Sequence, residues 1–197
     1  MIAGLILAAG ESRRMGRDKA LLAYRGRTFL ETIVSNLRTA GIEKITVVLG
    51  HHADMIQRAS KLGDAQVVVN QDYLRGQTSS LQVGIATAQE SAAEAVVLCL
   101  VDHPAVSAAV VTKLVERFEA THSPVLIPTY NGERGHPIVI SQALFPELLT
   151  VPAGQPANTV IRKYRDATEF VEVADRGILL DVDEPEIYER LERGDGR

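Results

Sequence analysis

Cysteine is almost missing from this chain. Cys99 stands alone, which excludes an intramolecular disulfide and a cysteine-rich zinc site. It sits inside the apolar run 95–101, where a thiol is expected to be buried and inert. An excess of positive charge is missing too. The formal charge is −4 and the pI about 5.8, so nothing general draws the protein to nucleic acid or to an anionic membrane. Long apolar runs are lacking as well. The opening MIAGLILAAG is too short to span a bilayer. It carries no basic residue ahead of the apolar stretch, so neither a span nor a signal peptide is expected. A reduced, cytoplasmic setting fits. No repeat, low-complexity tract or linker interrupts the chain before the polar tail 194–197, and residues 1–193 are expected to form a single domain. What is present suits a soluble fold: 197 residues, 46% hydrophobic and 23% charged, enough to bury a substantial core.

Short β-branched runs alternate with helical stretches. Strands are expected at 2–8, 44–49, 66–69, 95–101, 124–127, 137–140 and 169–173. Several are apolar on both faces, as in a parallel sheet covered by helices on both sides. Thr28-Phe29-Leu30-Glu31 reads as a capping box for a helix closed by Gly41. Further helices are expected at 53–62, 79–90, from a Ser107 cap to 121, and at 187–193 after Asp183-Glu184-Pro185-Glu186. This alternation predicts one α/β domain with a mainly parallel sheet. Asn131-Gly132, between two strand-like runs, predicts a hairpin turn and hence a mixed sheet there.

In open α/β sheets ligands bind beyond the carboxyl ends of the strands. The first such end leads into segment 10–19, where Arg13, Arg14, Arg17 and Lys19 face only Glu11 and Asp18. A cationic loop hinged by Gly10 and Gly16 on an acidic protein suits a polyphosphate: glycine lets backbone N–H groups approach, and Arg and Lys neutralise charge. A solvated connector is the plain alternative. Neither Gly-x-Gly-x-x-Gly nor Gly-Lys-Ser/Thr is present, which excludes the dinucleotide fingerprint and the P-loop. His51 and His52 occupy the region of a ribose-binding acid, so a dinucleotide oxidoreductase of the Rossmann type is not expected.

Asp102 ends the apolar run 96–101 on the same crevice side. It reads either as a Mg²⁺ ligand or as a turn residue before the next helix. Of the pair Asp181 and Asp183, the second has a local task as cap of the last helix with Glu186. Asp181 has none, and is the better metal ligand. Asp102 and Asp181 beside a cationic loop point to chemistry on a nucleoside triphosphate.

LAAGESRRMGRDK at 7–19 resembles the signature of nucleotidyltransferases related to molybdenum cofactor biosynthesis, the cytidylyl- and guanylyl-transferring enzymes. The resemblance continues through Asn70-Gln71-Asp72-Tyr73-Leu74-Arg75-Gly76-Gln77-Thr78-Ser79-Ser80-Leu81, Val101-Asp102-His103-Pro104, Gly135-His136-Pro137 and Asp181-Val182-Asp183-Glu184-Pro185. Five blocks thus fall in family order over nearly the whole chain. The resemblance implies a Rossmann-like three-layer α/β sandwich with a mainly parallel mixed sheet, of the nucleotide-diphospho-sugar transferase type. It implies attack of a phosphorylated acceptor on the α-phosphorus of a nucleoside triphosphate, with loss of pyrophosphate and with Mg²⁺ as cofactor. Carried over, Arg14 and Lys19 hold the triphosphate and, with Asp102, are the catalytic residues; Asp102 and Asp181 hold the metal. Leu7, Ala8, Ala9 and Gly10 meet the nucleotide, and Gly76, Ser79 and Ser80 help read its base. Guanylyl-transferring members usually carry two glycines where this chain has Ala9-Gly10, so CTP is favoured, although uridylyl-transferring relatives share the alanine. Relatives acting on molybdopterin commonly show Gly-Asp-x-Gly-Ala-Arg where segment 151–163 here lacks the acid and the second glycine. Asn158 and Arg162 offer a different polar set, and His136 falls near the acceptor pocket. Molybdopterin cofactor, a sugar phosphate or another small phosphorylated metabolite remain open as acceptors, and a nucleotide-binding regulatory module is the non-enzymatic alternative. A monomer and a small homo-oligomer both stay open.

The remaining conspicuous residues have plainer readings. Met15 is expected to anchor the cationic loop, Tyr73 and Leu74 to pack beneath the base-reading loop, and His103 to fix its turn. Adjacent His51 and His52 are expected to point in different directions and not to share a metal.

Overall fold

Strand β1 (Ile2–Ala8) is buried from its second residue onward, because helices cover both faces of the sheet it centres. The structure, a computed structural model, describes residues 1–194; of the expected tail, Gly194 is seen and 195–197 lie outside the described residues. After β1 come the small hairpin β2 (Ala23–Tyr24) and β3 (Arg27–Thr28), then α1 (Phe29–Thr39), β4 (Ile45–Leu49), α2 (Ala53–Ala59) and β5 (Gln66–Val69). They are followed by α3 (Gln77–Glu90), β6 (Ala95–Leu100), α4 (Ala108–Thr121), β7 (Val125–Tyr130) and β8 (Glu133–Arg134). The rest is β9 (Ile138–Ser141), α5 (Phe145–Leu149), α6 (Asn158–Lys163), β10 (Thr168–Glu172) and α7 (Pro185–Arg193).

The main sheet runs β10-β7-β9-β6-β1-β4-β5, with β8 paired to β7. Neighbours β5, β4, β1 and β6 are parallel, as are β10 and β7. Strand β9 is antiparallel to both β6 and β7, so the sheet is mixed as Asn131-Gly132 predicts. That turn joins β7 to β8 with both residues at positive φ, 51° and 82°, the requirement of a type I′ hairpin.

Two apolar clusters lie on opposite faces of the sheet. One packs Leu30, Leu37, Ile56, Leu114 and Phe118 against it; the other packs Leu81, Ile85, Phe145 and Leu148. The architecture is a three-layer α/β sandwich. A smaller cluster, with Met15, Leu22, Phe29, Val182 and Tyr188, seats the loop after β1 on the last helix. Met15 is the expected anchor, 5% exposed.

Helix α1 carries the full capping box between Thr28 and Glu31. The second oxygen of Glu31 accepts from the Lys61 backbone N–H at 2.8 Å, which draws residues 60–61 out of the helix. Helix α2 therefore stops at Ala59, not at 62. Helix α3 starts at Gln77, two residues earlier than expected, from a Gly76 whose φ of 99° few other residues adopt. The expected cap of the last helix is corrected: Glu184 is the N-cap of α7, with no side-chain capping bond, and Asp183 is engaged elsewhere.

Candidate functional site

The carboxyl ends of β1, β4 and β6 converge on one crevice. The Leu7 carbonyl accepts from Val101 N–H and the Ala9 carbonyl from His51 N–H, both at 3.1 Å. Gly50 is pressed between them, since a Cβ there would lie 2.6 Å from Tyr73 Cβ and 2.8 Å from the Ala9 oxygen. The cationic loop folds around Ser12. Its carbonyl accepts from Met15 and Gly16 N–H, and its Oγ accepts from Lys19 N–H at 3.1 Å. The result is a cleft of about 600 Å³ whose walls include Leu7, Ala9, Gly10, Arg14, Lys19 and Asp102. Ala8 is buried behind this wall.

Lys19 is the electrostatic centre. Its side chain is 11% exposed and its ammonium donates to Asp102 at 3.1 Å and to Asp183. Burial works against that charge, but the two carboxylates outweigh it and hold the ammonium above its usual range. Arg14, mostly exposed, reaches Asp183 at 2.5 Å. Asp183 is thereby held below the usual carboxylate range, mainly by its bond to Lys19. The residue expected to cap a helix is thus an ion-pair partner of both predicted phosphate-binding cations.

Asp181 differs. Burial first, then the negative charges of Asp102 and Asp183, push its carboxyl up to about 6. Asp102 Oδ1 is buried and makes no hydrogen bond, and ligand atoms of Asp102, His103 and Asp181 all lie within 4.8 Å of one another. A buried carboxylate oxygen without a partner and crowded acids fit a divalent cation, whose charge would reverse the cost of ionising Asp181.

On the base side, buried Asn70 donates to Ser79 Oγ at 2.9 Å and Ser80 Oγ at 3.0 Å. Its Oδ1 accepts from Asp72 N–H. Gly76 and Ser80 line the cleft. Ser79 does not: the single proton of its hydroxyl is shared between the Gly76 carbonyl at 2.8 Å and the Asp72 carbonyl at 3.1 Å, which shapes the loop. Tyr73 packs inward as expected, whereas Leu74 is 70% exposed, so its expected packing beneath the loop is corrected. The turn puts Leu74 over the cleft mouth instead. Asn70 was not singled out from sequence, because an isolated Asn after a strand gives no signal until its two serine partners are brought to it.

A second cavity of about 600 Å³ adjoins the first and shares Leu7, Gly76, Gln77 and Leu100 with it. Leu98, Ile127, Ile138 and Ile140 form its apolar floor, and His136 and Asn158 its polar side. Arg162 is exposed and not part of the lining: of the polar set expected on the acceptor side, α6 presents Asn158, with Ile161, to the cavity and leaves Arg162 at the surface. Thr78 pins the far wall. Its hydroxyl donates to the Gln155 carbonyl at 2.8 Å and accepts from Ala157 N–H at 3.1 Å. His136 and His103 lie with ring centroids 5.1 Å apart. Burial, then the neighbouring His103, pushes His136 down to about 4. His103 is also lowered, chiefly by burial.

His51 and His52 do not diverge as expected. His52 is in the left-handed region (φ 49°), and the two rings stack with centroids 3.7 Å apart.

Residues 4–168 match the MobA-like NTP transferase domain. The chain belongs to that family. It is 31% identical to the Nicotine blue oxidoreductase of Paenarthrobacter nicotinovorans over 96% of each chain. It is 25% identical to the Molybdenum cofactor cytidylyltransferase of Escherichia coli strain K12, over 93% of this chain and 92% of that one. Among solved structures, Rv0371c from Mycobacterium tuberculosis H37Rv matches with a TM-score of 0.84 and 31% identity, covering 98% of this chain and 97% of the other. Its complex with manganese matches at 0.77 and 29%, covering 98% of both. The fold and the family are those of nucleotidyltransferases, and the chain is an enzyme of that type.

Proposed function

We propose that the chain transfers a nucleoside monophosphate, CMP from CTP in preference, to a phosphorylated small-molecule acceptor such as molybdopterin cofactor, releasing pyrophosphate. The observation that carries this reading is the convergence of Lys19, Arg14, Asp102 and Asp183 at the cleft that Leu7, Ala9 and Gly10 wall, with Asp181 beside Asp102. Asp102 and Asp181 would hold Mg²⁺; that a similar protein has been solved in complex with manganese supports a divalent ion in this reading. When bound, such an ion offsets phosphate charge and fixes its oxygens. Lys19 and Arg14 neutralise the triphosphate and the charge that grows on the departing pyrophosphate. Loop N–H groups around Gly10 approach the phosphates. An oxygen of the acceptor phosphate forms the new bond to the α-phosphorus, and the α–β bridging bond breaks with its electron pair leaving on pyrophosphate. No side-chain nucleophile is needed; positioning of two substrates in adjoining cavities supplies the rate. Ala9 in place of a second glycine supports CTP. The largely apolar second cavity takes the acceptor body. Burial alone pushes the Cys99 thiol up to about 12, so it is an inert core residue that takes no part in the chemistry. No helix among the described residues is long and apolar enough to cross a membrane.

The test is pyrophosphate release with CTP, GTP, UTP and ATP offered separately with Mg²⁺, against molybdopterin cofactor and a panel of sugar and metabolite phosphates. Release that requires CTP and one acceptor establishes the reaction. Absence of Mg²⁺-dependent nucleotide binding would sink it. A parallel arm offers nicotine blue with the chemical class of reductant varied from well to well, because one relative is named a Nicotine blue oxidoreductase; turnover there and not with nucleotides would replace the transferase reading.

A further inference from the structure

A second group of metal-type ligands lies outside the carboxylate cluster. Successive side chains on an extended strand point to opposite sides, yet the left-handed backbone at His52 (φ 49°, ψ 31°) swings its ring back over that of His51. Non-glycine residues held in this region mark places where the surroundings impose the geometry. Asp18, at the end of the cationic loop, completes the set: its Oδ2 is 3.2 Å from His52 Nδ1. Ligand atoms of Asp18, His51 and His52 all lie within 4.8 Å of one another. Tyr73 Oη sits 3.3 Å from His51 Nδ1, an outer partner of the kind that orients a ligating imidazole and leaves its Nε2 free to bind. His52 is exposed and Asp18 and His51 are half-buried, so an ion can reach them from solvent.

We propose that Asp18, His51 and His52 form a binding site for a divalent transition ion of the Zn²⁺ class. Two imidazoles and one carboxylate favour Zn²⁺, Co²⁺, Ni²⁺ or Cu²⁺ over Mg²⁺, which prefers oxygen donors. The chain thereby sorts two ions by ligand chemistry, with the hard ion at Asp102 and Asp181. Tetrahedral bonds of about 2.0–2.1 Å place ligand atoms roughly 3.4 Å apart, so the three side chains close in by rotation about their own bonds. Bound there, the ion ties the end of segment 10–19 to the turn after β4. It would hold the loop bearing Arg14 and Lys19 against the sheet. Three protein ligands leave a further coordination position for water, as in open zinc sites.

The experiment is calorimetric titration of the untagged full chain with Zn²⁺ in millimolar Mg²⁺, together with visible spectra of the Co²⁺ form. A double variant, Asp102→Asn with Asp181→Asn, removes the carboxylate site. It is expected to keep one equivalent of tightly bound Zn²⁺. His52→Asn keeps a residue at ease in the left-handed region, and with His51→Ala it should weaken Zn²⁺ by more than about tenfold, the lower limit seen even for outer partners. Both histidine variants should also lose the Co²⁺ bands while circular dichroism stays native. Unchanged Zn²⁺ affinity in a folded His52→Asn protein overturns the proposal. So does loss of all Zn²⁺ binding in the carboxylate double variant. Neither result touches the nucleotidyl-transfer reading, which is scored by pyrophosphate release.

Discussion

Asp102 and His136 show how differently two half-buried polar residues can be placed. Asp102 shares Lys19 with Asp183 and leaves its second oxygen without a partner. Asp102→Asn keeps the shape and removes the charge, and activity in the pyrophosphate assay should fall by on the order of 10²–10³ or more while the thermal melt stays cooperative. Unchanged turnover would refute its catalytic placement. His136, pushed down to about 4 from a usual value near 6.5, stays neutral in the fold while the unfolded chain takes up its proton first as pH falls. Its contribution is therefore full above pH 6.5 and is lost between 6.5 and 4, amounting to about 2 kcal/mol between pH 7 and pH 5. Urea midpoints at the two pH values should differ less in His136→Asn than in the parent, and equal differences would contradict the assignment. At this scale charge at a strand end draws the eye to Arg14, Lys19 and Asp102, but it leaves a solvated connector and a turn residue as alternative readings, and only the resemblance across five blocks gives these residues their roles. Asp183 and Asn70 stay hidden. A capping signature disguises the first, and the partners of the second arrive only through the fold.

At the scale of elements, motifs that state a backbone need are the ones that read true. The Thr28–Glu31 box, the Asn131–Gly132 turn and the apolar strands β1 and β5 fall where expected. Errors arise where a tertiary contact competes, as when Glu31 takes Lys61 N–H and shortens α2. Close packing also selects Gly135, where a Cβ would stand 2.3 Å from the Ile178 carbonyl oxygen. Gly135→Ala should cost about 1–3 kcal/mol by overpacking, read as a lower denaturant midpoint. It should also raise the acceptor KM by displacing His136. Thr78→Val removes the link between α3 and residues 155–157. The expected outcome is a stability loss of about 1 kcal/mol with a raised acceptor KM and little change in the KM for CTP. Equal effects on both substrates would show that this link does not belong to the acceptor wall.

For the whole molecule, alternation of strands and helices gives an α/β domain with a mainly parallel sheet covered on both faces, and the resemblance adds the three-layer sandwich. The strand order was not legible, because pairing of β9 between β6 and β7 depends on contacts far apart in the chain. Ligands that bind the native fold alone raise its melting temperature by mass action. CTP with Mg²⁺ at about 100 times its dissociation constant adds about 2.7 kcal/mol, or roughly 5–10 °C for a chain of this size. Calorimetry should show this shift and a much smaller one in the presence of EDTA. Equal shifts with and without the divalent ion would argue against a metal-assisted nucleotide site.

The reversed strand β9 has an evolutionary consequence. Because it runs opposite to β6, its beginning, not its end, delivers His136 beside the crevice. Apart from Asp181 and Asp183, which return to the phosphate end from beyond β10, donor-side residues come from segments before 103, while His136, Asn158 and most of the acceptor floor come from segments after 125. The two halves of the reaction are written in largely separate stretches of chain, so acceptor preference can drift, or be exchanged by grafting residues 125–163 from a relative, without rewriting the nucleotide half.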